Sequence, residues 1–283
     1  MIREIWFEII KFKSQKKNYV VIVGHIVFLA LCYFAFKTSK LHFLDRALAS
    51  NKFDVNVFDY VDGLFFARAG LVPTFLVLMP IFICTLAGGV IAGEIEQGSL
   101  KLIASRPRSR TNIILAKIFA IYNFNLIFCI YFAVASVLIG IALYGYNPIQ
   151  LVFLKQFNLG NDIALMSSPE ALLRYFAFAF YCSFSLMALG SIALFFSTIF
   201  NKSTTATIAA ITIYFVCFIV AQLPFATEIK PYLLSELMGK GFGVFWLPDI
   251  PWYLLAKNMG ILALYICGFS SLSICHFNLR DIQ

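Results

Sequence analysis

The chain has 283 residues, of which 61% are hydrophobic, 17% aromatic and only 13% charged, and it carries a formal net charge of +8. A soluble domain is usually about a quarter charged and has no means of hiding this much apolar surface, so the composition is that of a polytopic membrane protein. The positive charge does not call for nucleic acid, because the basic residues sit at the ends of apolar runs, where the positive-inside bias and anionic headgroups account for them.

In chain order, residues 1–17 come first. Ile2, Ile5, Trp6, Ile9, Ile10 and Phe12 alternate with Arg3, Glu4, Glu8, Lys11 and Lys13 at roughly helical spacing. This spacing predicts an amphipathic helix lying in the membrane interface, with Trp6 at headgroup depth. The plainer reading of the same residues is a frayed basic tail.

Six apolar runs follow, at 18–36, 71–93, 113–144, 172–199, 204–223 and 251–275. Each reaches the roughly 20 residues that a spanning helix needs, and the third is long enough to tilt or to project beyond the bilayer. Helices are expected because an open sheet leaves backbone groups unsatisfied in lipid. The first run is read as a span and not as a cleaved signal, since Ala35-Phe36-Lys37 makes a poor cleavage site. The expected fold class is therefore all-α: a polytopic membrane protein of six transmembrane helices with an N-terminal interfacial helix, forming a single domain over 1–283.

The connections divide into two sets. Segments 1–17, 94–112, 200–203 and the tail from 276 are short and dense in Lys and Arg; segments 37–70, 145–171 and 224–250 are longer and more dilute. That bias predicts both termini in the cytoplasm. Segment 37–70 is larger than a minimal outer loop and reads either as an added module or as a site for an outer-face partner. In segment 224–250, Pro224, Pro231 and Pro248 interrupt a half-apolar stretch. It reads either as a re-entrant or interface-lying hairpin or as an ordinary packed loop.

The motifs that carry reactions are missing from this sequence. It has no G-x-x-x-x-G-K-[ST], no HExxH and no GxSxG, and the alternating Gly239, Gly241 and Gly243 read as flexible loop. His25, His42 and His276 are scattered and read as packing or interface residues. The seven cysteines are odd in number and form no CxxC pair, so they read as reduced, buried thiols acting as small apolar residues. The span interiors offer no carboxylate of the kind an ion-coupled carrier needs. Asn123, Asn125 and Gln222 are read there as interhelical hydrogen-bonding groups. Thr204, Thr205, Thr207, Ala209, Ala210 and Thr212 mark close helix packing or a dimer seam.

The segment from Gly93 to Lys117 is the richest in signal. It places Glu94, Glu96, Lys101, Arg106, Arg108 and Arg110 between two apolar runs. Gly93 and Gly98 allow tight turning. Glu94 and Glu96 suit the N-terminus of a short helix that Ser99 caps and whose greasy side is Leu100, Leu102 and Ile103; Pro107 stops it. A bland reading, a basic loop that only fixes topology, stands beside this one.

These residues resemble the permease subunits of ABC-type exporters, the ABC type-2 permeases. That family's connector between spans two and three runs close to E-x-x-x-G-[ST]-L, then P-x-[SR]-R, then Lys. Here the matching residues are Glu94, Gly98, Ser99, Leu100, Pro107, Ser109, Arg110 and Lys117. The ending Phe277-Asn278-Leu279-Arg280-Asp281-Ile282 is similar to the family's F-x-x-R-D-[IL]. The resemblance implies a non-catalytic subunit in a bacterial inner membrane. It would pair with a second permease copy or a paralogue and dock a separately encoded P-loop ATPase. It implies no cofactor on this chain, with ATP and Mg held by the partner, and contacts with membrane lipid and no nucleic acid. By position it implies a coupling role for Glu94, Gly98, Ser99, Leu100, Pro107, Arg108 and Arg110, next to an interfacial helix bearing Trp6, Ile9 and Ile10. Replacing Glu94 and Leu100 with Lys is expected to uncouple such a transporter. An ion-coupled carrier or channel working without an ATPase, and an intramembrane enzyme, are the competing classes; a carrier transports alone in liposomes.

Overall fold

The computed structural model describes residues 2–13, 16–38, 62–99, 109–153 and 163–280. Among these, six helices are long and apolar enough to cross a membrane. The N-terminal helix α1 (Ile2–Lys13) turns directly into the first span, α2 (Lys16–Thr38). Buried Asn18 fixes that corner by donating to the Phe12 carbonyl.

The second span is composite: α3 (Gly63–Pro73), one π-helical turn (Thr74–Leu78) and α4 (Met79–Glu96). Two prolines cause the break. Each lacks an N–H and crowds the carbonyl four residues back, so the helix widens locally. The Leu76 carbonyl, four residues before Pro80, accepts from Tyr214 Oη at 2.7 Å instead. A neighbouring helix thus supplies the donor that proline removed.

The third span, α5 (Arg110–Tyr144), leads into an antiparallel hairpin of β1 (Ile149–Phe153) and β2 (Ile163–Ser167), in which Ile149 faces Ser167. Then come α6 (Ser168–Ile199), α7 (Ser203–Val220), the short helix α8 (Leu234–Val244) and α9 (Trp252–Leu279). The central helix is α6, which packs against α4, α5, α7, α8 and α9. Its most apolar window is 78% buried, against 11% for α2 and 17% for α7 and α9. Those three therefore face lipid or another chain.

The boundaries shift from expectation for identifiable reasons. The second span begins at Gly63, not at 71, because Asp62 caps it: its carboxylate accepts from Phe65 N–H at 3.0 Å. The same side chain accepts from Asn147 N–H at 3.2 Å and from Gln150 Nε2, so it also anchors the hairpin, which the sequence reading left as loop. α3 and α5 cross at Gly63 and Gly140, so closely that a Cβ on either would fall inside the other's backbone. Gly145, at φ +75, ends α5.

Segment 224–250 proves to be packed structure. Gly239, Gly241 and Gly243 lie within α8 and not in a flexible loop. Tyr181 Oη donates to the Leu237 carbonyl at 2.7 Å, and the rings of Phe178 and Phe242 meet at 4.6 Å. Arg174 closes the segment by donating to the carbonyls of Phe245, Leu247 and Pro248. Of the small residues of α7, Thr207 and Ala210 pack within the chain, and a Cβ on Gly88 would stand 2.8 Å from Thr207 Oγ1, whereas Thr204, Thr205 and Thr212 are exposed. The cysteines are unpaired, but only Cys84, Cys129 and Cys182 are buried; Cys267 and Cys275 are exposed on α9.

Candidate functional site

The residues singled out in the connector fall at one end of the bundle, where α1, the end of α4, the start of α5, the end of α6, the start of α7 and the end of α9 meet. Gly98 turns the chain out of α4. It has φ +69, a left-handed conformation that favours glycine, and its N–H donates to the Ile95 carbonyl at 2.9 Å. Ser99 Oγ donates to the Glu94 carbonyl at 3.3 Å. That bond ties Ser99, itself helical after the turn, back to the last turn of α4. Leu100, Pro107 and Arg108 lie outside the described residues.

Glu94 and Glu96 stand in the last turn of α4, where the helix dipole opposes negative charge. Each needs outside support, and each has it. Glu96 Oε2 accepts from Ser203 N–H at 3.1 Å, so it caps the start of α7 from a neighbouring helix. Glu94 is 2% exposed. Its Oε1 accepts from Lys117 Nζ at 2.6 Å and also from Lys11 Nζ. Lys117, 1% exposed, bonds in turn to Glu8 Oε1 at 3.1 Å.

Four charged side chains from α1, α4 and α5 thus form one network, buried at Glu8, Glu94 and Lys117 and part-exposed at Lys11. A buried charge with its partner removed costs several kcal/mol, so these three helices are held in fixed relation. Glu94 lies just past the apolar run 71–93, in the last turn of α4, and is retained inside because two ammonium groups meet it.

The network also sets which face of α1 meets the protein. Glu8 and Phe12 face inward, whereas Trp6 is 64% exposed and Ile10 50% exposed, with Ile9 partly buried between them. The charged face meets protein and the greasy face points away from it. That is the orientation an interfacial helix takes when lipid lies outside and ions lie within.

Arg110 is committed inside the chain. Its Nη1 donates to the carbonyls of Arg280 at 2.8 Å and Asn278 at 3.2 Å, at the end of α9. Arg280 donates onward to the Thr198 carbonyl and to Asn201 Oδ1, closing the end of α6; partial burial lowers its guanidinium from the usual value. Cations at helix C-termini offset the exposed carbonyls and the dipole.

Sequence reasoning missed Glu8 and Lys11 as site residues and saw Lys117 only as a motif end. The signal was present: Lys117 falls inside the apolar run 113–144, and a charge inside a span requires a counter-ion. Deeper in the bundle, His25 is fully buried. Its Nε2 lies 3.3 Å from Ser136 Oγ and its Nδ1 lies 3.5 Å from Thr74 Oγ1. It is the polar anchor of the otherwise lipid-facing α2. Asn125 donates to the Ser183 carbonyl at 2.8 Å across helices, as expected, whereas Asn123 donates to the Phe119 carbonyl of its own helix.

Residues 42–237 match the family of ABC-2 family transporter proteins. A curated relative, the uncharacterized protein YhcI of Bacillus subtilis (strain 168), is 31% identical over 71 residues, a stretch covering 25% of this chain and 23% of that protein.

Proposed function

Because the chain belongs to the ABC-2 family of transporter proteins, whose permeases are non-catalytic membrane subunits partnered with an ATP-binding subunit, we propose that it is an exporter permease. In this reading a separately encoded P-loop ATPase, holding ATP and Mg, drives it through the 94–110 connector. Both termini and the connector face the cytoplasm, as the density of Lys and Arg favours. A second copy or a paralogue completes the transporter.

The observation that carries this reading is the Glu8–Lys117–Glu94–Lys11 network. A push on the connector reaches α4 and α5, the two helices that it joins. The network ties α1 to both, so the interfacial helix and the roots of spans two and three move as one foot. Glu94 acts from inside this foot and positions the connector; it does not itself reach toward a partner. Glu94→Lys would set a third ammonium against Lys11 and Lys117, so it tests stability and not coupling.

The decisive experiment is affinity purification from mild detergent. A stoichiometric P-loop ATPase is the expected companion. A chain that stays alone across several detergents, and that moves solute unaided in liposomes, overturns the reading in favour of an ion-coupled carrier. Within the purified pair, Glu94→Gln keeps the side chain's shape but weakens its hold on both ammonium groups. It should leave the ATPase bound and lower permease-dependent ATP turnover about tenfold, the equivalent of roughly 1.4 kcal/mol in the coupled step.

A further inference from the structure

A cavity of about 340 Å³ lies beside the ion network, walled by α1, α4 and the start of α7. We propose that it binds a phospholipid whose headgroup carries a primary ammonium, the phosphatidylethanolamine class. Glu8 and Glu94 both line it, and each has used only one carboxylate oxygen on the lysines. Glu8 Oε2 and Glu94 Oε2 are buried and have no hydrogen-bond partner among the described residues. A buried carboxylate oxygen without a donor is costly, and what these two lack is an N–H.

Charge points the same way. Around the cavity the described side chains set Glu8, Glu94 and Glu96 against Lys11 and Lys117, a formal excess of one negative charge. One primary ammonium placed there would meet that local negative charge and donate to both free oxygens. Among the described residues no group of three or more His, Cys, Asp or Glu side chains is arranged to hold a metal ion.

The polarity of the walls selects a lipid over a soluble amine. Glu94, Glu96 and Gln97 line one end of the cavity, and Leu86 and Val90 line the other, toward the middle of the span. Leu86 to Gln97 is about 16 Å along a helix, enough for a headgroup and the start of its acyl chains. The greasy outer face of α1, with Trp6 and Ile10 exposed, sets the polar end at headgroup depth. Lys11, whose side chain is 34% exposed while it holds Glu94, lines the cavity beside Glu8 and Glu94.

Selectivity is the test. A trimethylated choline headgroup has no N–H to donate. The full-length chain, purified without any ATPase from bilayers of equal phosphatidylethanolamine and phosphatidylcholine, should retain the former about tenfold over the latter, the value of one charge-assisted hydrogen bond. Native mass spectrometry reads the ratio. Gly93→Leu puts a side chain into the cavity that Gly93 lines, and its Cβ meets only an ordinary contact, 3.9 Å from Ser203. It should abolish the preference while thermal unfolding stays unchanged. If it proves unstable, Glu8→Gln, which leaves the volume open, should still reduce the preference. Equal retention of the two lipids, or full preference in both variants, overturns the assignment. So does loss of the bound lipid when the ATPase docks, which would give the cavity to a basic side chain of the partner. The assay needs no coupling, so it can succeed where the proposed function fails, and the reverse.

Discussion

At the residue scale, Lys117 bears the most. It is buried, it holds Glu94 and Glu8 at once, and nothing local in the sequence announces either partner. Lys117→Met keeps the apolar stem and leaves two carboxylates facing each other with only Lys11 between them. Thermal unfolding in detergent should fall by the equivalent of about 3–5 kcal/mol, the cost of breaking a buried pair from one side. A shift within measurement error would mean that water already reaches the cluster. Gly98 is a quieter case. Its φ of +69 is strained for other residues, yet a Cβ there meets open space. Gly98→Val should therefore cost about 1–2 kcal/mol of backbone strain without any clash, and Gly98→Asn should cost less. The purified pair's ATP turnover measures whether that turn matters for coupling. The turn at Gly98 was legible in the sequence, because glycine's freedom is a property of the residue itself. The burial of Glu94 was not, because its partners lie 23 and 83 positions away and no local periodicity encodes a distant counter-ion.

At the scale of elements, the spans were legible and their joints were not. Length and apolarity mark a crossing helix from composition alone, and the six helices are there. The π turn at Thr74–Leu78 depends on two prolines and on a hydroxyl from Tyr214, which arrives from another helix. Residues 234–244 look like a loop because three glycines weaken helix propensity; packing on α6 overrides that, and Gly241 leaves room for the Tyr181 ring. The helix at 2–13 was predicted as amphipathic, but a moment does not say which face meets protein. Its docking gives the element-scale prediction. Glu8→Gln weakens its tie to Lys117, so hydrogen exchange across α1 should speed up while that across α6 stays slow. Equal exchange in α1 of both proteins would show that Phe12 alone holds it.

At the scale of the molecule, the distribution of burial divides the bundle. A buried α6 sits behind α2, α7 and α9, which leave most of their surface outward. Much of that surface is large and apolar, including Ile208, Phe218 and Leu264. It is solvated by acyl chains, by a second permease, or by both. Native mass spectrometry of the complex released from membranes should find two permease chains per particle; a single permease would remove the dimer from the mechanism. The two ends of the bundle also differ in kind. At one end Asp62 accepts from Gln150, which also donates to Ser168, with the Arg68 cation acting on the same carboxylate; at the other, Glu8, Lys117, Glu94 and Lys11 join in one network of ion pairs. The end with that network is the one to which the proposed ATPase would bring its force.

The inward-facing ions of α1 set a schedule for the newborn chain. Glu8 must wait 109 positions for Lys117, which at ribosomal speeds of about 5–20 residues per second is roughly 5–20 seconds. Glu94 reaches Lys11 sooner, after 83 positions; until then the N-terminal segment has only the membrane surface to rest on. Its outward Trp6 and Ile10 serve as a temporary mooring there, holding it at the depth where the third span will emerge. What looks in the finished protein like a greasy face turned the wrong way is, during synthesis, the part that keeps the first helix within reach of its eventual neighbours.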